Sequence, residues 1–127
     1  DKGLHMLKKD HTGLFGNSSR TCSEQYILNA NIDYNMVLTQ CMFVHRNTLK
    51  TIISKFESYR ELMISTRGNG EDIVFNHIYR KMFKKKPVRI IPSSNQMKLL
   101  DDISNSYHRL SNHISIRNKI CYDLFRE

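Results

Sequence analysis

Two adjacent carboxylates are the first side chains in this sequence whose types and spacing could do chemistry. Glu71 and Asp72 follow a Gly-Asn-Gly stretch centred on Asn69, and they open a segment with helical spacing. One interpretation is a helix start, where Asn69 or Gly70 satisfies free amides and the helix dipole stabilises the carboxylates. The other is a site in which a fixed carboxylate orients the hydroxyl group of an acceptor. The local sequence leaves both open.

A basic run lies at the other end of the same segment. Its five cations are Arg80, Lys81, Lys84, Lys85 and Lys86. Such a run can bind RNA or a sulfated polyanion, because Lys and Arg neutralise phosphate and sulfate groups. Only the aromatic Phe83 interleaves, and its helical phase turns it inward, where bases cannot stack on it. A solvated helix end is the alternative interpretation.

Arg117 is a third candidate, on the last predicted helix and close to Arg109 and Lys119. A guanidinium group suits a phosphate clamp, because its rigid fork contacts two oxygens at once. A surface charge whose apolar stem packs on the helix is the alternative. Nothing in the neighbouring residues separates the two.

Apolar periodicity and turn residues predict the elements that would hold these side chains. Residues 1–33 are interrupted by Gly and Ser and are expected to be irregular, with at most short strands. The apolar run at 34–45 predicts one strand covered on both faces. A helix of about 15 residues follows capping positions at 46–48, and another begins at Glu71 and is stopped by Pro87.

The rest of the chain adds a short strand at 88–92, a brief helix around residues 97–103 and a last helix from Tyr107 onward. The two central helices are expected to turn these residues toward the core: Leu49, Ile52, Ile53, Phe56, Leu62, Met63, Ile73, Val74, Ile78, Met82 and Phe83. The order predicts a single α/β domain over residues 1–127, with a short mixed sheet and about three to four helices.

Composition narrows the classes of partner and of site. The 20 Lys and Arg residues against 12 Asp and Glu give a net charge of +8, which favours partners that carry phosphate or sulfate. No run of about 18 apolar residues occurs, so no membrane span is expected. The three cysteines form no C-x-x-C pair, and neither a zinc site nor a His-based metal site is expected. Cys41, inside the apolar run, is expected to be a buried thiol.

Three blocks of the sequence are similar to one family of enzymes. They are YNMVLTQCMFVHRNTL at 34–49, NGEDIVFNHI at 69–78 and HISIRNKICYDLF at 113–125. In the same order and at similar spacing, they resemble the C-terminal half of the exostosin-type glycosyltransferases. These are GT-A-fold enzymes that build or extend heparan-sulfate-like glycans.

The resemblance implies a partial GT-A-like domain that transfers a sugar, an N-acetylhexosamine, from a UDP-sugar to a glycan acceptor with retention. Asp72 would meet the acceptor hydroxyl, and Asn69 and Glu71 would help to bind the substrate. Arg117 would contact the diphosphate of the donor, whose growing negative charge is neutralised together with Mn²⁺. The family also implies a membrane-associated enzyme of the endoplasmic reticulum or the Golgi.

The sequence departs from the family in ways that affect the site. The Asp-x-Asp cluster that holds Mn²⁺ in the family does not occur, and Asp101-Asp102 falls in the wrong place. The metal ligands are therefore expected in an N-terminal half or a partner subunit. Gln40 replaces a small Gly and would narrow the acceptor site. Gly70 replaces a Cys that the family pairs with the one near Cys121, so this disulfide is not expected, and a cytoplasmic location stays open.

Two non-catalytic alternatives remain. A basic module would bind RNA or a sulfated polyanion through the basic run together with Arg89, Arg109 and Lys119, and its binding would weaken steeply with salt. A degenerate structural subunit would instead pack an exposed half-core on a partner.

Overall fold

A computed structural model describes residues 2–28, 33–91 and 112–126. Its helices are α1 (Lys2–Lys9), α2 (Arg46–Phe56), α3 (Arg60–Ser65), α4 (Glu71–Phe83) and α5 (His113–Phe125). A 3-10 turn at Glu57–Tyr59 joins α2 to α3. The strands are β1 (Leu14–Gly16), β2 (Ser19–Cys22), β3 (Tyr26–Ile27), β4 (Met36–Val37), β5 (Met42–Val44) and β6 (Val88–Arg89). The architecture confirms the α/β fold class predicted from the sequence.

The strands form two small sheets in the described part of the chain. The first has the order β5-β1-β6, with β5 antiparallel and β6 parallel to β1, so it is the mixed sheet that the sequence predicts. The second has the order β3-β2-β4 and is antiparallel. No helix within residues 2–28, 33–91 and 112–126 is long and apolar enough to cross a membrane.

Helix α4 runs through the middle of the domain, with α2 and α5 packed against it. Seven of its 13 residues are buried. Among them, the amide of Asn76 accepts a hydrogen bond from the backbone N–H of Val37 at 3.0 Å and donates one to the carbonyl oxygen of Val37 at 2.7 Å. This pairing satisfies two buried backbone groups of β4, and it fixes the second sheet against α4.

A disulfide links the second sheet to α5. Cys22, at the end of β2, is bonded to Cys121, with their Cα atoms 5.1 Å apart and 99 positions between them in sequence. The expectation that Cys121 lacks a disulfide partner is therefore wrong. Its partner is a distant residue on a strand, and the packing of α5 against β2 and β3 brings the two together. The link also removes the argument for a cytoplasmic location that rested on the missing Cys at position 70.

The apolar run at 34–45 is not one strand. It forms β4 and β5, separated by a turn at residues 39–40, because β4 pairs with β2 while β5 pairs with β1 in the other sheet. The chain crosses from one sheet to the other at this point. Cys41 lies in the crossing and is exposed, so the expectation of a buried thiol is wrong.

The first 33 residues are more ordered than expected. Helix α1 packs against β1 and β5, and its Gly3 is buried beside the ring of Phe43. Its few apolar residues gave no clear periodicity in the sequence, and Leu4 remains about half exposed. Three short strands follow in this segment, as the sequence allowed.

The remaining elements agree with the sequence in type and differ in extent. Helix α4 begins at Glu71 as predicted, and the helix predicted after residue 45 is α2, continued by the 3-10 turn and α3. Strand β6 is shorter than the predicted 88–92 strand. Ile53 and Met82, predicted to face inward, are exposed. The predicted helix at 97–103, the start of the last helix at Tyr107 and Arg109 lie outside the described residues.

Candidate functional site

The loop before α4 carries Asn69 and leads directly into Glu71 and Asp72. Gly70 precedes the helix with φ 99°, a left-handed conformation that favours glycine. A Cβ atom at this position would lie 2.5 Å from Cδ1 of Ile120, so α5 packs directly on the backbone at the start of α4. No side chain in the described part of the chain caps this helix start, so the capping role considered for Asn69 is not observed.

A buried ion pair joins the starts of the two helices. Nη2 of Arg117 donates to both carboxylate oxygens of Asp72, at 2.6 and 2.5 Å. Asp72 is only 4% exposed and Arg117 only 5%. Charges at this depth persist when each is paired and hydrogen-bonded, because water no longer solvates them. The interpretation of Arg117 as a surface charge is therefore wrong.

Asn69 and Tyr26 complete this cluster. Asn69 accepts a hydrogen bond from Nη1 of Arg117 at 3.3 Å and donates one to the carbonyl oxygen of His113 at 3.1 Å. The hydroxyl of Tyr26 accepts from Nη2 of Arg117 at 3.0 Å. The guanidinium carbon also lies 4.3 Å from the centroid of the Tyr26 ring, within the range of a cation-π contact.

Burial and charge act in opposite directions on these groups. Burial lowers the pKa of Arg117, but the negative charge of Asp72 and the hydrogen bonds to Asp72 and Tyr26 outweigh it, and the pKa lies above the ordinary value. Burial also raises the pKa of Tyr26, so its hydroxyl stays protonated at neutral pH. Arg117 therefore stays charged within the cluster, and Tyr26 is a neutral hydrogen-bonding partner.

Two attachments hold Arg117 in place on α5. The next residue, Asn118, accepts a hydrogen bond from the backbone N–H of Tyr26 at 2.8 Å. One turn further along the helix, Cys121 is bonded to Cys22. Strands β2 and β3 are thus fixed to the helix face that carries the guanidinium group.

The structure brings three of the four predicted residues together. Arg117 contacts both Asn69 and Asp72, whereas Glu71 is exposed and accepts a hydrogen bond from the hydroxyl of Thr39 at 2.9 Å. Tyr26 was missed by sequence reasoning. Its position between two cysteine-bearing elements becomes apparent only once the Cys22 to Cys121 link is known.

A cavity of about 320 Å³, lined by both polar and apolar groups, opens beside Asn69. Its lining includes Arg67, Asn112 and Ile116, so amide and guanidinium groups face it next to an apolar side chain. Sugars present hydroxyl groups around an apolar ring face, and this mixture of groups suits such a ligand.

The described residues do not provide a site for Mn²⁺. No group of three or more His, Cys, Asp or Glu side chains able to hold a metal occurs among residues 2–28, 33–91 and 112–126. Both oxygens of Asp72 are already engaged by Arg117. Asp101 and Asp102 lie outside the described residues.

The basic run lies at the opposite end of α4. Lys81, Lys84, Lys85 and Lys86 are exposed there, and the guanidinium group of Arg80 lies 5.2 Å from the ring centroid of Phe125. At about 1.5 Å of rise per residue, Lys84 is about 18 Å along the helix from Asp72. The two groups of candidate residues are therefore separate sites.

The sequence matches a known protein family over most of its length. The model of the glycosyl transferase family 64 domain matches residues 4–127, which include every candidate residue of the ion-pair cluster. No curated protein matches the chain. A match of this extent establishes membership, and the chain belongs to the glycosyl transferase family 64 domain family.

Proposed function

We propose that this chain forms the acceptor side of an exostosin-type enzyme, which transfers a sugar from a UDP-sugar to a glycan acceptor with retention. Family membership supports glycosyl transfer in general. The resemblance of the three sequence blocks favours the exostosin type and an N-acetylhexosamine as the transferred sugar. The observation that carries the proposal is the buried pair of Asp72 and Arg117 beside Asn69.

Arg117 is proposed to contact the diphosphate of the donor. Its Nε atom is buried and has no hydrogen-bond partner among the described residues, and its Nη1 atom makes only the 3.3 Å bond to Asn69. A guanidinium group carries five N–H donors, so this arrangement leaves donors for phosphate oxygens while Asp72 stays bound. A cation fixed beside the leaving group stabilises the charge that develops there during transfer.

Asp72 is proposed to orient the acceptor hydroxyl, with the acceptor sugar in the cavity beside Asn69. Its carboxylate is held by Arg117, which orients it before the substrate arrives. Glu71 is proposed to contact the substrate from the exposed side of the same helix turn, where it now bonds to Thr39. The ligands of the proposed Mn²⁺ would come from a part of the enzyme outside this sequence.

The proposed location is the lumen of the endoplasmic reticulum or the Golgi. Disulfides persist in oxidising compartments and are rare in the cytosol. The Cys22 to Cys121 link supports such a compartment together with the family resemblance.

Calorimetric titration of UDP, with and without Mn²⁺, tests the donor part of the proposal. We expect UDP to bind this chain, and binding to weaken by at least about tenfold in Arg117→Lys, which keeps the charge but loses the fork. Arg46→Lys, which makes the same change at an exposed position of α2, is the matched control. Failure of UDP to bind, or equal binding by Arg117→Lys, would refute the assignment of Arg117.

The acceptor part requires the complete enzyme. There, Asp72→Asn should lower kcat by at least about 10²-fold, as expected when a positioned acid or base group is lost. Near-normal turnover of this variant, with its fold verified by circular dichroism, would remove Asp72 from the mechanism.

A further inference from the structure

A cleft of about 470 Å³ lies between the C-terminal ends of α4 and α5. Five cations line it, and they are Arg80, Lys81, Lys84, Lys85 and Lys86. His77, Leu124 and Phe125 complete its lining. We call it the basic cleft, and its volume is in the range of pockets that hold small ligands.

Part of the positive charge is fixed by contacts within the protein. The guanidinium group of Arg80 lies over the ring of Phe125. Nζ of Lys85 donates to both carboxylate oxygens of Asp10, at 3.0 and 3.1 Å, and to the hydroxyl of Thr12 at 2.6 Å. These contacts position Arg80 and Lys85, and Asp10 neutralises the charge of Lys85.

Three amines remain without an acidic partner in the described part of the chain. Lys81, Lys84 and Lys86 are exposed, and none of them forms an ion pair with a described carboxylate. Lys84 has a left-handed backbone, with φ 54° and ψ 33°, which ends α4 and turns the chain around the helix end. The lysines before and after this turn all line the cleft.

Stabilisation of the helix end does not account for this much charge. A helix C-terminus carries about half a negative charge, which a single cation complements. Further cations at this end repel one another. The positive charges also act on His77 inside the cleft. Burial, together with the charges of Lys81 and Arg80, lowers the pKa of His77.

The side chains that line the basic cleft restrict the kind of ligand that it can bind. Several phosphate groups close together would satisfy the three free amines and Arg80 at once. Stacking of nucleic-acid bases on Phe125 is disfavoured, because the guanidinium group of Arg80 already covers its ring. The His77 ring is itself in edge contact with the rings of Tyr59 and Phe125.

We infer that the basic cleft binds a compact ligand with clustered phosphate groups, either a soluble polyphosphorylated molecule or a phosphorylated lipid headgroup. The cleft is about 18 Å along α4 from the Asp72 cluster, so binding here is independent of sugar transfer.

Calorimetric titration of inositol hexakisphosphate into this chain tests the inference. The cleft variant is Lys81→Gln/Lys84→Gln/Lys86→Gln. The control variant Lys2→Gln/Lys8→Gln/Lys50→Gln removes the same charge from exposed positions outside the cleft. We expect at least about tenfold weaker binding in the cleft variant and a change within about twofold in the control.

Vesicles of phosphatidylcholine with and without phosphatidylinositol bisphosphate separate the two sources of ligand. Binding of the bisphosphate vesicles alone, lost in the cleft variant, would support the lipid headgroup, and binding of the free polyphosphate alone would support the soluble ligand. Absence of both, or equal losses in the cleft and control variants, would overturn the inference. Tighter, cleft-dependent binding of single-stranded RNA would also overturn it.

UDP titration keeps this inference distinct from the proposed function. The cleft variant should bind UDP as the unmodified chain does, and Arg117→Lys should bind inositol hexakisphosphate as the unmodified chain does. Loss of both ligands from the cleft variant would overturn the inference of a separate site.

Discussion

The buried pair of Asp72 and Arg117 gives the sharpest prediction about stability. Replacing Arg117 by Met removes the only cation that contacts Asp72 among the described residues, and it leaves a carboxylate that is 4% exposed without its charge partner. Removal of one member of a buried pair costs about 3–5 kcal/mol, because the other charge stays buried and unpaired. We expect Arg117→Met to lower the free energy of unfolding by this amount.

Removing the acidic member of the pair should lower the free energy of unfolding by less. Asp72→Asn preserves the size of the side chain but leaves the guanidinium group without its anion. The hydroxyl and ring of Tyr26 and the amide oxygen of Asn69 remain as partners for Arg117. These contacts compensate for part of the lost attraction, so we expect a loss of about 2–3 kcal/mol.

The double variant Asp72→Asn/Arg117→Met separates pairing from packing. It removes both charges, so we expect it to be more stable than Arg117→Met alone, although the two single losses would predict the reverse. Urea unfolding at pH 7, followed by circular dichroism, gives the four free energies of the cycle. Additive losses, or a loss below about 1 kcal/mol in Arg117→Met, would mean that the pair behaves like an exposed one and would refute the reasoning.

Three further predictions concern the support of the site and the basic cleft. The double variant Cys22→Ser/Cys121→Ser should lower the free energy of unfolding by about 2–5 kcal/mol in urea, because it opens a loop closed over 99 positions, whereas Cys41→Ser should change it by less than about 0.5 kcal/mol. Equal effects of the two variants would contradict this. Gly70→Ala should lower the free energy of unfolding by about 1–3 kcal/mol in the same urea assay, because the backbone φ of 99° at this position favours glycine. An unchanged unfolding midpoint would disprove the need for glycine. The pKa of His77 should lie below 6.5 in an NMR titration, chiefly because of burial. The unfolded chain then binds the proton first, so the free energy of unfolding should fall as the pH drops below 6.5, and His77→Gln should flatten that fall.

Local signals in the sequence were sufficient for α4. A glycine loop, two carboxylates and an apolar stripe lie within one stretch, and each indicates the same helix start at Glu71. The individual members of the site were named through the resemblance. Their contact was not predicted, because 45 positions separate Asp72 from Arg117 and no local pattern specifies which residues meet across two helices.

Three of the misjudged features depend on contacts between distant segments. The run at 34–45 has the composition of a single buried strand, but its two ends pair in different sheets, and the exposure of Cys41 follows from that crossing. The disulfide was missed for the same reason. Its two cysteines are 99 positions apart, and the resemblance directed attention to position 70 instead.

The glycine at position 70 and the disulfide have a common structural basis. Ile120 occupies the space that a side chain at position 70 would need, so α5 lies close over the start of α4 and the adjacent Cys121 is bonded to β2 instead. Arg117 is consequently held from the strand side, between the Asn118 contact to Tyr26 and the disulfide. The N-terminal strands, which the sequence left as an irregular segment, are therefore part of the support that orients the guanidinium group toward Asp72.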